Sequence, residues 1–574
     1  MEPASAKVWH TQPTDEQAAG HVAGELGIPP AAARILAARG YREAESADRF
    51  MNPRLSALGD PFDLPDLHKA VTRIWQSIES GQRVVVFGDY DVDGITSTAL
   101  LVTVLQTLGA DVRAFLPHRI EEGYGLSEDA LLRCIETHAP GLIVTVDCGT
   151  GSVDAVHLAA KRRVDVVVTD HHEPGPRVAT AHAVVNPKRS ANESLHMLAG
   201  VGVAFKLCHG MVKAGRERGH KQASSIELRP LLDLVALGTI ADIVPLVGEN
   251  RILARHGLAQ MNQTVNIGLR ALIEVAGVEE SIDAHEVGFR LGPRLNAAGR
   301  LGDAERALGL LLGRDETVVR DLAIELDRAN RERQEIEART LKEALEELEA
   351  RFDPEQDFGL VVGRPGWHPG VIGIVASRVL QRFNRPVAVV ALEGEGGGGR
   401  GSCRSIDGFD MMQGLERCAA ELLKYGGHTM AAGLEIKPGR LDAFARLFNA
   451  SARALLAGKD LRPVQRIDAW LDLDEVDDAL ATALDRMRPF GVGNTTPNWG
   501  ARGVRVLGPP RVVGKNHLKL LLAAGGRQIE AMGWGMGERE LPAPPWDIVF
   551  QVRRDRFRGQ ERLVLHLQDL RSAE

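Results

Sequence analysis

The stretch Val164-Asp-Val-Val-Val-Thr-Asp-His-His172 decides the fold class of this chain. All but one of its first six residues are β-branched, which favours a buried strand, and Asp170, His171 and His172 follow at once. Two further apolar runs, Val84-Val-Val-Phe87 and Leu142-Ile-Val-Thr-Val146, also lead into acidic residues and then into helix-like segments. This alternation predicts a mainly parallel α/β sheet, whose sites lie at the carboxyl ends of its strands.

Acidic side chains gather where these segments end. Asp89, Asp91 and Asp93 follow the first strand, Asp147 follows the second, and Asp242 closes a further apolar segment that we also expect to end a strand. Asp91 and Asp93 lie two residues apart, so on an extended strand end both would face the same side and could each serve a different metal ion. Asp147 would then bridge the two ions.

The mixed set of carboxylates and imidazole predicts metal-dependent hydrolysis of a phosphodiester. Two divalent ions about 3.5 to 4 Å apart supply a hydroxide-like nucleophile and neutralise phosphoryl oxygens. Carboxylates suit Mg²⁺ and Mn²⁺, and added imidazole shifts the preference toward Mn²⁺. The predicted cofactors are therefore two divalent cations, Mn²⁺ or Mg²⁺. The predicted ligands are Asp91, Asp93, Asp147, His171 and Asp242.

Taken alone, Asp91-Val-Asp-Gly94 has two other interpretations. It resembles the aspartyl-nucleophile loop of haloacid-dehalogenase-type phosphatases, and it also fits a polar turn that caps a helix. In such a phosphatase Asp91 would form a covalent phosphoenzyme. Because Asp147, Asp170-His-His172 and Asp242 follow in order, metal binding is favoured and we expect no phosphoenzyme.

The order of these motifs resembles the DHH phosphoesterase superfamily. Further motifs narrow the resemblance to the RecJ family of single-strand-specific DNA exonucleases, and it covers about residues 50 to 570. These motifs are Pro117-His-Arg119, Glu122-Gly-Tyr-Gly-Leu126, Gly292-Pro-Arg-Leu-Asn-Ala-Ala-Gly-Arg300, Trp367-His-Pro-Gly-Val371, Gly399-Arg-Gly-Ser-Cys-Arg-Ser405 and Gly426-Gly-His428.

The resemblance implies a division of the metal ligands. Asp91 and Asp147 would hold one ion, whereas Asp93, Asp147, His171 and Asp242 would hold the other. It also implies supporting roles for three neighbours.

Of these neighbours, Asp89 would orient a ligand or a water, and Asp170 would fix the tautomer of an imidazole. His172 would meet a phosphoryl oxygen and so belongs with the ligands in the predicted catalytic set.

The resemblance further implies contacts to DNA. Guanidinium groups suit phosphate because two N–H donors meet two oxygens, and a tyrosine can stack on an unpaired base. The predicted contacts are Arg119, Tyr124, Arg294, Arg300, Ser402, Arg404 and His428. The alternatives are structural ion pairs for the arginines and core packing for the tyrosine.

Length and composition predict several domains. At 574 residues with 44% hydrophobic content, the chain is long enough for three or four domains with real cores. We expect an N-terminal capping segment at 1–50, a parallel-sheet DHH domain at 51–313 and one long connecting helix at 314–352. A smaller α/β domain of the DHHA1 type at 353–457 and a C-terminal β-barrel resembling an OB fold at 458–574 would follow.

The C-terminal segment is basic although the chain is acidic. The net charge is −8, yet residues 501–574 hold 13 Lys and Arg against 8 Asp and Glu. Lys515, His517 and Lys519 alternate, so on a strand their side chains would share a face suited to phosphate. The predicted barrel contacts to DNA are Lys515, Lys519, Arg554 and Arg556, with a merely solvated basic surface as the alternative.

The remaining sequence features favour a cytoplasmic protein. The N-terminus lacks an apolar signal core, and no stretch of some 18 apolar residues exists to span a membrane. The five cysteines are odd in number and form no close Cys-x-x-Cys pair, which argues against a disulfide framework and against structural zinc. We expect them to be buried or incidental.

These observations together predict a two-metal exonuclease. The resemblance implies 5′-to-3′ degradation of single-stranded DNA to 5′-mononucleotides, a channel too narrow for duplex, and roles in DNA recombination and repair. It also implies single-strand-binding protein and a RecQ-like helicase as partners. A DHH enzyme for oligoribonucleotides or cyclic dinucleotides and a catalytically lapsed DNA-binding scaffold are the alternatives.

Overall fold

The computed structural model describes residues 7–118, 125–301, 304–394, 396–557 and 560–573. For residues 300, 301, 556, 557 and 560 it describes the backbone alone. The chain forms two compact units. One contains residues 325–464, and the other contains residues 9–299, 304–324 and 465–573.

The elements follow one another in five groups. The N-terminal group is β1 (Val8–Thr11), α1 (Glu16–Leu26), α2 (Pro30–Ala38) and α3 (Ala44–Met51). The first α/β domain contains α4 (Leu67–Ser80), β2 (Val84–Gly88), α5 (Val92–Thr107), β3 (Val112–Phe115), α6 (Glu128–His138), β4 (Leu142–Val146), α7 (Val153–Lys161), β5 (Asp165–Thr169), β6 (Ala183–Val185), α8 (Gly200–Glu217), α9 (Lys221–Ser225), α10 (Leu232–Ala241), α11 (Gly248–Met261), α12 (Ile267–Val275), α13 (Ala284–Glu286), a π-helix (Val287–Leu291), α14 (Gly292–Leu301) and α15 (Ala304–Leu312). The long helix α16 (Glu316–Glu349) follows. The second α/β domain contains β7 (Leu360–Pro365), α17 (Ile372–Phe383), β8 (Val387–Leu392), β9 (Gly399–Arg404), α18 (Met411–Glu416), β10 (Leu422–Gly427), β11 (Ala431–Ile436) and α19 (Leu441–Leu456). The C-terminal group is β12 (Val464–Ile467), β13 (Ala469–Trp470), α20 (Asp478–Met487), β14 (Trp499–Val506), β15 (Arg511–Val513), β16 (His517–Ala524), β17 (Arg527–Gly533), β18 (Trp546–Phe557) and β19 (Gln560–Ser572).

The first α/β domain is built on a five-stranded parallel sheet, as predicted. Its strand order is β3-β2-β4-β5-β6. The chain leaves β2 toward one side of the sheet and leaves β4 toward the other, so the order reverses between these two strands. In open α/β sheets such a switch point opens a crevice at the carboxyl ends of the strands, where ligands bind.

Burial on both faces explains why these strands are continuous apolar runs. Val84 and Val86 pack into one core cluster with α4, α5 and α8, whereas Val85 and Phe87 pack into another with α6 and α7. Successive side chains of a strand point to opposite faces, so a strand covered on both sides is apolar throughout. The helices therefore hold the strand ends in place from both faces.

The second α/β domain carries a mixed sheet, and the predicted long helix precedes it. The sheet order is β10-β11-β9-β8-β7, with β7 and β8 parallel and the other pairs antiparallel. The helix α16 begins and ends within three residues of the predicted 314–352, because that segment contains no glycine or proline to interrupt it.

The C-terminal barrel is also confirmed. Strands β14, β18, β19, β17 and β16 pair in that order, and a pairing of β14 with β16 closes the ring. The N-terminal segment does not form a core of its own in the part of the chain that is described. Ile35, Leu36 and Phe50 instead share one buried cluster with Leu484 and Trp499 of the C-terminal group. The domain boundaries at 51, 314, 353 and 458 stay predictions.

A buried arginine joins the first domain to this C-terminal core. The Arg251 guanidinium on α11 donates to the carbonyl of Phe50 at 2.7 Å and to the carbonyls of Arg488 at 3.0 Å and Arg486 at 3.2 Å. It also lies 3.8 Å from the centroid of the Phe50 ring, a cation–π distance. These contacts tie α11 to α3 and to the end of α20.

Two further predictions concern burial and membranes. All five cysteines are buried free thiols, as expected for core residues. Across the described residues, no helix combines the length and the apolar character needed to cross a membrane.

Candidate metal centre

The loop after β2 delivers three carboxylates, but not on an extended strand end. Strand β2 ends at Gly88, and Asp91 is the N-cap of α5, where its Oδ1 accepts the N–H of Gly94 at 3.0 Å. Asp93 lies inside the first turn of α5. The expectation that Asp91 and Asp93 sit side by side on a strand is therefore wrong, because an aspartate before a glycine-containing helix start caps the helix. The polar-turn interpretation was correct for the local backbone.

Asp147 follows β4 and has a left-handed backbone with φ of +62°. Its Oδ1 lies 3.1 Å from Nε2 of His171, which follows β5. The same His171 nitrogen lies 3.6 Å from Oδ2 of Asp242 and 3.8 Å from Oδ2 of Asp93. One imidazole nitrogen thus has three carboxylates around it.

Asp242 reaches this cluster from a helix. It caps the C-terminus of α10, so the prediction that it ends a strand is wrong. The segment that carries it is a ten-residue buried helix, and an apolar run without alternation does not distinguish a buried helix from a buried strand.

Among the residues that the structure describes, potential ligand atoms fall into three overlapping groups of mutual neighbours within 4.8 Å. The groups are Asp89, Asp91 and Asp147; Asp93, His171 and Asp242; and Asp147, His171 and His172. Asp147 and His171 each belong to two of them, and of these two only the carboxylate has two ligand oxygens with which to bridge two cations. The ligand assignment itself stays a prediction.

Asp170 belongs to none of these three groups and instead bonds to the two histidines. Its Oδ1 accepts the N–H groups of His171 at 2.8 Å and His172 at 3.1 Å and lies 2.8 Å from Nδ1 of His172. Its Oδ2 accepts the N–H of Thr150 at 2.9 Å. Burial alone would raise the pKa of Asp170, but the hydrogen bond and charge of His172 and the backbone donors outweigh burial and lower it. A carboxylate at this distance from Nδ1 can fix the tautomer of the His172 imidazole, and that role of Asp170 stays a prediction.

Sequence reasoning missed a second layer of support behind His172. The buried Asn186 donates its side-chain amide to Thr150 Oγ1 and to the carbonyl of His172, both at 2.9 Å. Neither Asn186 nor Thr150 belongs to a short motif, so their positions along the chain carry no signal of this contact.

Sequence reasoning also missed the contact between Asp93 and the start of α8. The N–H groups of Gly200 and Val201 donate to Oδ2 and Oδ1 of Asp93, both at 2.7 Å. The N-terminus of a helix stabilises negative charge, so α8 fixes the Asp93 carboxylate and partly offsets its charge. A side chain at Gly200 would place its Cβ 2.7 Å from Oδ1 of Asp147 and 2.9 Å from Oδ2 of Asp93.

Burial disfavours the ionised forms of these clustered carboxyl groups. Burial raises the pKa of Asp93 to about 7 with the charge of Asp91 adding to it, and raises that of Asp242 to about 9 with a further contribution from Asp93. Burial and neighbouring carboxylates likewise raise the pKa values of Asp89 and Asp147 well above the usual range. Burial, followed by the charge of His172, lowers the pKa of His171 to about 3, so its ring is neutral and able to act as a ligand.

The donor set fits divalent cations. Among the described residues, five buried side-chain atoms of this cluster lack a hydrogen-bond partner, and buried polar atoms are nearly always partnered. They are Asp89 Oδ1, Asp89 Oδ2, Asp147 Oδ1, His171 Nε2 and Asp242 Oδ2. Hard oxygen donors with one neutral imidazole are the ligands of Mg²⁺ and Mn²⁺, and bound cations would neutralise the carboxylate charge. Asp89 shares a group with Asp91 and Asp147, which favours a more direct part than orienting a neighbour.

We expect the effect of metal on stability to grow with pH. Because the pKa values of Asp93 and Asp242 are raised to about 7 and about 9, the metal-free native state binds more protons than the unfolded chain between about pH 4 and pH 9. These groups therefore stabilise the fold at low pH, and this contribution is lost as the pH rises through the raised values. Bound cations replace the protons, so Mn²⁺ should raise the Tm more at pH 8.5 than at pH 5.5.

The measurement is the Tm in excess chelator and in Mn²⁺ across that pH range. The Asp93→Asn/Asp242→Asn double variant is the control and should show a weaker dependence of the Mn²⁺ shift on pH than wild type, with Asp89 and Asp147 supplying what remains. A wild-type shift that is independent of pH would contradict the linkage.

The other predicted DNA contacts are dispersed over both units. Arg294 lies on α14 and donates to the carbonyl of Arg290 at 2.6 Å. Arg300 also lies on α14, but its side chain is not described, and Arg119 and Tyr124 lie outside the described residues.

Two of the contacts predicted on the second α/β domain are neighbours. Arg404 on β9 donates from Nη1 to Ser402 Oγ at 3.1 Å, and burial lowers the pKa of its guanidinium. A Cβ at Gly373, at the start of α17, would lie 3.1 Å from Ser402 Oγ and 3.2 Å from Arg404 Nη2. The third contact, His428, is exposed between β10 and β11. Arg404 on β9 pairs with Ala431 on β11, and His428 lies three residues before Ala431 in the chain.

The barrel cations differ from their prediction in one respect. Lys515 lies in the turn before β16 begins at His517, so it does not alternate on a strand with Lys519. Lys519 pairs with Glu530 at 3.1 Å, and Arg554 pairs with Asp478 at 3.0 Å and with Asp485 at 3.3 Å. Arg556 lies on β18 without a described side chain.

Comparison with known proteins matches three domains to this architecture. The DHH family N-terminal domain matches residues 83–239, the DHHA1 domain matches residues 357–454, and the RecJ OB domain matches residues 467–569. Together with the cluster at the switch point of the sheet, they define a DHH phosphoesterase. The single-stranded-DNA-specific exonuclease RecJ of Dickeya dadantii is 38% identical, covering 95% of this chain and 96% of that protein, and that of Escherichia coli is 37% identical with the same coverage. The chain belongs to the RecJ family.

Solved structures agree with this assignment. The crystal structure of RecJ from Thermus thermophilus in complex with Mn²⁺ has a TM-score of 0.84 at 32% identity and covers 99% of this chain and 80% of that one. An exonuclease RecJ bound to manganese has a TM-score of 0.60 at 38% identity and covers 70% of this chain and 96% of that one. The resemblance that the motifs predicted is confirmed.

Proposed function

We propose that this chain is a metal-dependent exonuclease specific for single-stranded DNA, with two divalent cations, Mn²⁺ or Mg²⁺, as cofactors. The observation that carries the proposal is the set of five unpartnered buried ligand atoms at the switch point of the sheet, in a chain that belongs to the RecJ family. Asp91, Asp147 and Asp89 would hold one cation, and the other would be held by Asp93, His171, Asp242 and the shared Asp147.

The residues around the cations would position the ligands and donate a proton to the substrate. Divalent cations bound there would neutralise the scissile phosphodiester and lower the pKa of the attacking water. The α8 amides hold Asp93, and Asp170 holds His172 through Nδ1. Burial opposes protonation of His172, but the hydrogen bond and charge of Asp170 outweigh burial and raise its pKa. A half-exposed His172 that keeps its proton can donate to a phosphoryl oxygen, the role that the family resemblance implies.

The second α/β domain would hold the phosphates of the strand. Arg404 and Ser402 lie beside the N-terminus of α17, a twelve-residue helix, and helix N-termini and guanidinium groups both favour phosphate. We include Arg119, Tyr124, Arg294, Arg300 and His428 in the DNA-contacting set on the family resemblance.

On the barrel, an exposed tryptophan has better structural support as a contact to DNA than the predicted lysines and arginines have. Trp534 is 54% exposed, and its ring centroid lies 4.6 Å from that of His517 and 5.8 Å from that of His566. Such a cluster offers an exposed face on which an unpaired base can stack. Lys519 and Arg554 already neutralise neighbouring acids, so they would add less to binding than an uncompensated charge. Lys515 and Arg556 stay predicted contacts.

We expect Trp534→Ala to weaken binding of single-stranded DNA about tenfold, since stacking contributes about 1 to 3 kcal/mol per base. The measurement is the fluorescence anisotropy of a labelled oligonucleotide in chelator, so that no hydrolysis occurs. Leu521→Ala, which removes another exposed apolar side chain of the barrel, is the control and should bind as wild type. Equal affinities for Trp534→Ala and wild type would remove Trp534 from the binding surface.

Polarity, products and biological setting rest on the family resemblance. The proposal includes 5′-to-3′ degradation to 5′-mononucleotides and roles in DNA recombination and repair. A cytoplasmic location and the partners single-strand-binding protein and a RecQ-like helicase are also part of the proposal.

The test is digestion of end-labelled single-stranded and duplex DNA, with 5′-phosphate or 5′-hydroxyl ends, in Mn²⁺, Mg²⁺ or chelator. Metal-dependent release of mononucleotides from the 5′ end of single strands would support the proposal. Hydrolysis confined to short oligoribonucleotides or cyclic dinucleotides would replace it with a small-substrate DHH enzyme. Binding of DNA without hydrolysis in any metal would indicate a lapsed scaffold, and a trapped phosphoenzyme on Asp91 would exclude direct attack by water on the phosphodiester.

A further inference from the structure

Ile243 combines two unfavourable features next to a predicted metal ligand. It follows Asp242, its backbone is left-handed with φ of +63°, and its side chain is 69% exposed. Of the six non-glycine residues with positive φ among those described, Ile243 has the only β-branched side chain. Isoleucine is rare in this conformation, whereas glycine and asparagine are common at this position after a helix.

Packing and hydrogen bonds hold the chain on both sides of Ile243. Helix α10 is buried over most of its length and ends at Ala241, and the N–H of Ile243 still bonds back to the carbonyl of Ile240 at 3.3 Å. On the other side, Leu246 is buried and donates its N–H to the carbonyl of Val492 at 2.8 Å. The backbone around Ile243 is thus held from both sides, and its own side chain adds little to the packing.

Single exposed apolar residues are common on protein surfaces, so exposure alone would not single out Ile243. Its backbone conformation does, because glycine or asparagine would fit the same place without strain. Strained residues that the surrounding structure holds in place cluster at active sites and ligand clamps. Asp147 is another of the six residues with positive φ, and it lies in the metal cluster itself.

We propose that Ile243 contacts the nucleobase of a nucleotide flanking the scissile phosphodiester and acts as a specificity-determining residue. This inference rests on the proposed function. The Asp242 carboxylate lies 3.6 Å from Nε2 of His171, and Ile243 is the next residue along the chain, so its exposed side chain begins one residue away from a predicted metal ligand. An isoleucine there offers a rigid apolar surface to the face of an unpaired base, which every base presents. It would favour nucleosides over smaller or base-free groups at the cleavage position.

The test asks whether the effect of removing one base from the substrate depends on the side chain at position 243. Oligonucleotides carry one abasic residue at the first, second or third position from the end that is degraded, and kcat/KM is measured for wild type, Ile243→Gly and Ile243→Asn. Both substitutions fit the left-handed backbone, so neither should lower the Tm of the fold or its shift by Mn²⁺. Val265→Gly is the matched control, because it removes a β-branched side chain of 70% exposure from the loop between α11 and α12.

In wild type and in Val265→Gly, an abasic residue at one position should lower kcat/KM about tenfold, the order expected for loss of an apolar contact of this size. In both Ile243 variants the same abasic residue should lower it less than about twofold, since the contact is already missing. An abasic penalty that persists in either variant, or that is absent from wild type, would overturn the inference while leaving the exonuclease in place. Absence of any DNA hydrolysis by wild type would overturn both.

Discussion

Asp147→Asn is expected to lower kcat on single-stranded DNA by more than about 10³-fold, the scale seen when a central electrostatic or catalytic group is removed. Asp147 belongs to two of the three ligand groups, and its unpartnered Oδ1 lies 3.1 Å from Nε2 of His171. A neutral amide cannot balance the charge of two cations. We expect the loss in kcat rather than in KM, because the substrate-contacting residues are unchanged.

Asparagine is the appropriate replacement because of the backbone. With φ of +62°, position 147 is strained for alanine, whereas asparagine tolerates the left-handed region and keeps the size of the side chain. Asp147→Ala would mix loss of a ligand with backbone strain. Asp147→Asn separates the two effects.

Stability provides a second measurement on the same variant. Burial raises the pKa of Asp147, so its ionised form destabilises the metal-free fold at neutral pH and above. Metal-free Asp147→Asn should therefore have a Tm at least equal to that of metal-free wild type at pH 8, yet gain much less from Mn²⁺. Asp154→Asn, which alters a carboxylate of 71% exposure in the first turn of α7, should behave as wild type in both measurements.

More than about a tenth of wild-type activity in Asp147→Asn would refute the role of Asp147 as the shared ligand. A Tm well below that of metal-free wild type would instead show that the carboxylate supports the fold.

Gly200→Ala is expected to weaken Mn²⁺ binding by about 10- to 100-fold, the range measured when groups that support metal ligands are disturbed. The added Cβ would lie 2.7 Å from Oδ1 of Asp147 and 2.9 Å from Oδ2 of Asp93, closer than carbon approaches oxygen in folded proteins. Asp93 cannot move away without losing its hydrogen bonds to the N–H groups of Gly200 and Val201. Both carboxylates would therefore leave the positions in which they meet a cation.

The measurement is the concentration of Mn²⁺ that gives half of the increase in Tm, together with kcat at saturating Mn²⁺. Gly24→Ala on α1, where a Cβ would meet no atom within 4 Å, is the control and should keep the wild-type midpoint. An unchanged midpoint in Gly200→Ala would mean that the start of α8 does not shape the metal centre.

Much of the architecture could be predicted from the sequence because it depends on local patterns. Apolar runs of four to six residues predicted β2, β4 and β5, and a segment rich in Glu, Arg, Leu and Ala without Gly or Pro predicted α16. The acidic residues that follow β2, β4 and β5 were placed at one edge of the sheet because parallel strands share that edge.

The predictions that failed concern backbone detail around those residues. Asp93 and Asp242 were expected on strand ends, but Asp93 lies in the first turn of α5 and Asp242 caps the C-terminus of α10. A short apolar or polar run is compatible with either structure, and the outcome depends on neighbours that are distant along the chain. The N-terminal helices likewise share the core of a barrel that begins more than 400 residues later.

The sequence by itself determined which residues are candidate ligands, because the DHH motifs carry carboxylates and imidazole directly after recognisable strands and in family order. Only the tertiary structure decided which groups hold those candidate ligands in place and how strongly burial disfavours their ionised forms. The bonds from Gly200 and Val201 to Asp93 span more than 100 residues, and the packing that strains Ile243 comes from both sides of its loop. Contacts between residues so far apart in the chain leave no periodic pattern in the sequence. Burial likewise exists only in the folded chain, where it raises the pKa values of the carboxylates and favours binding of cations that neutralise them.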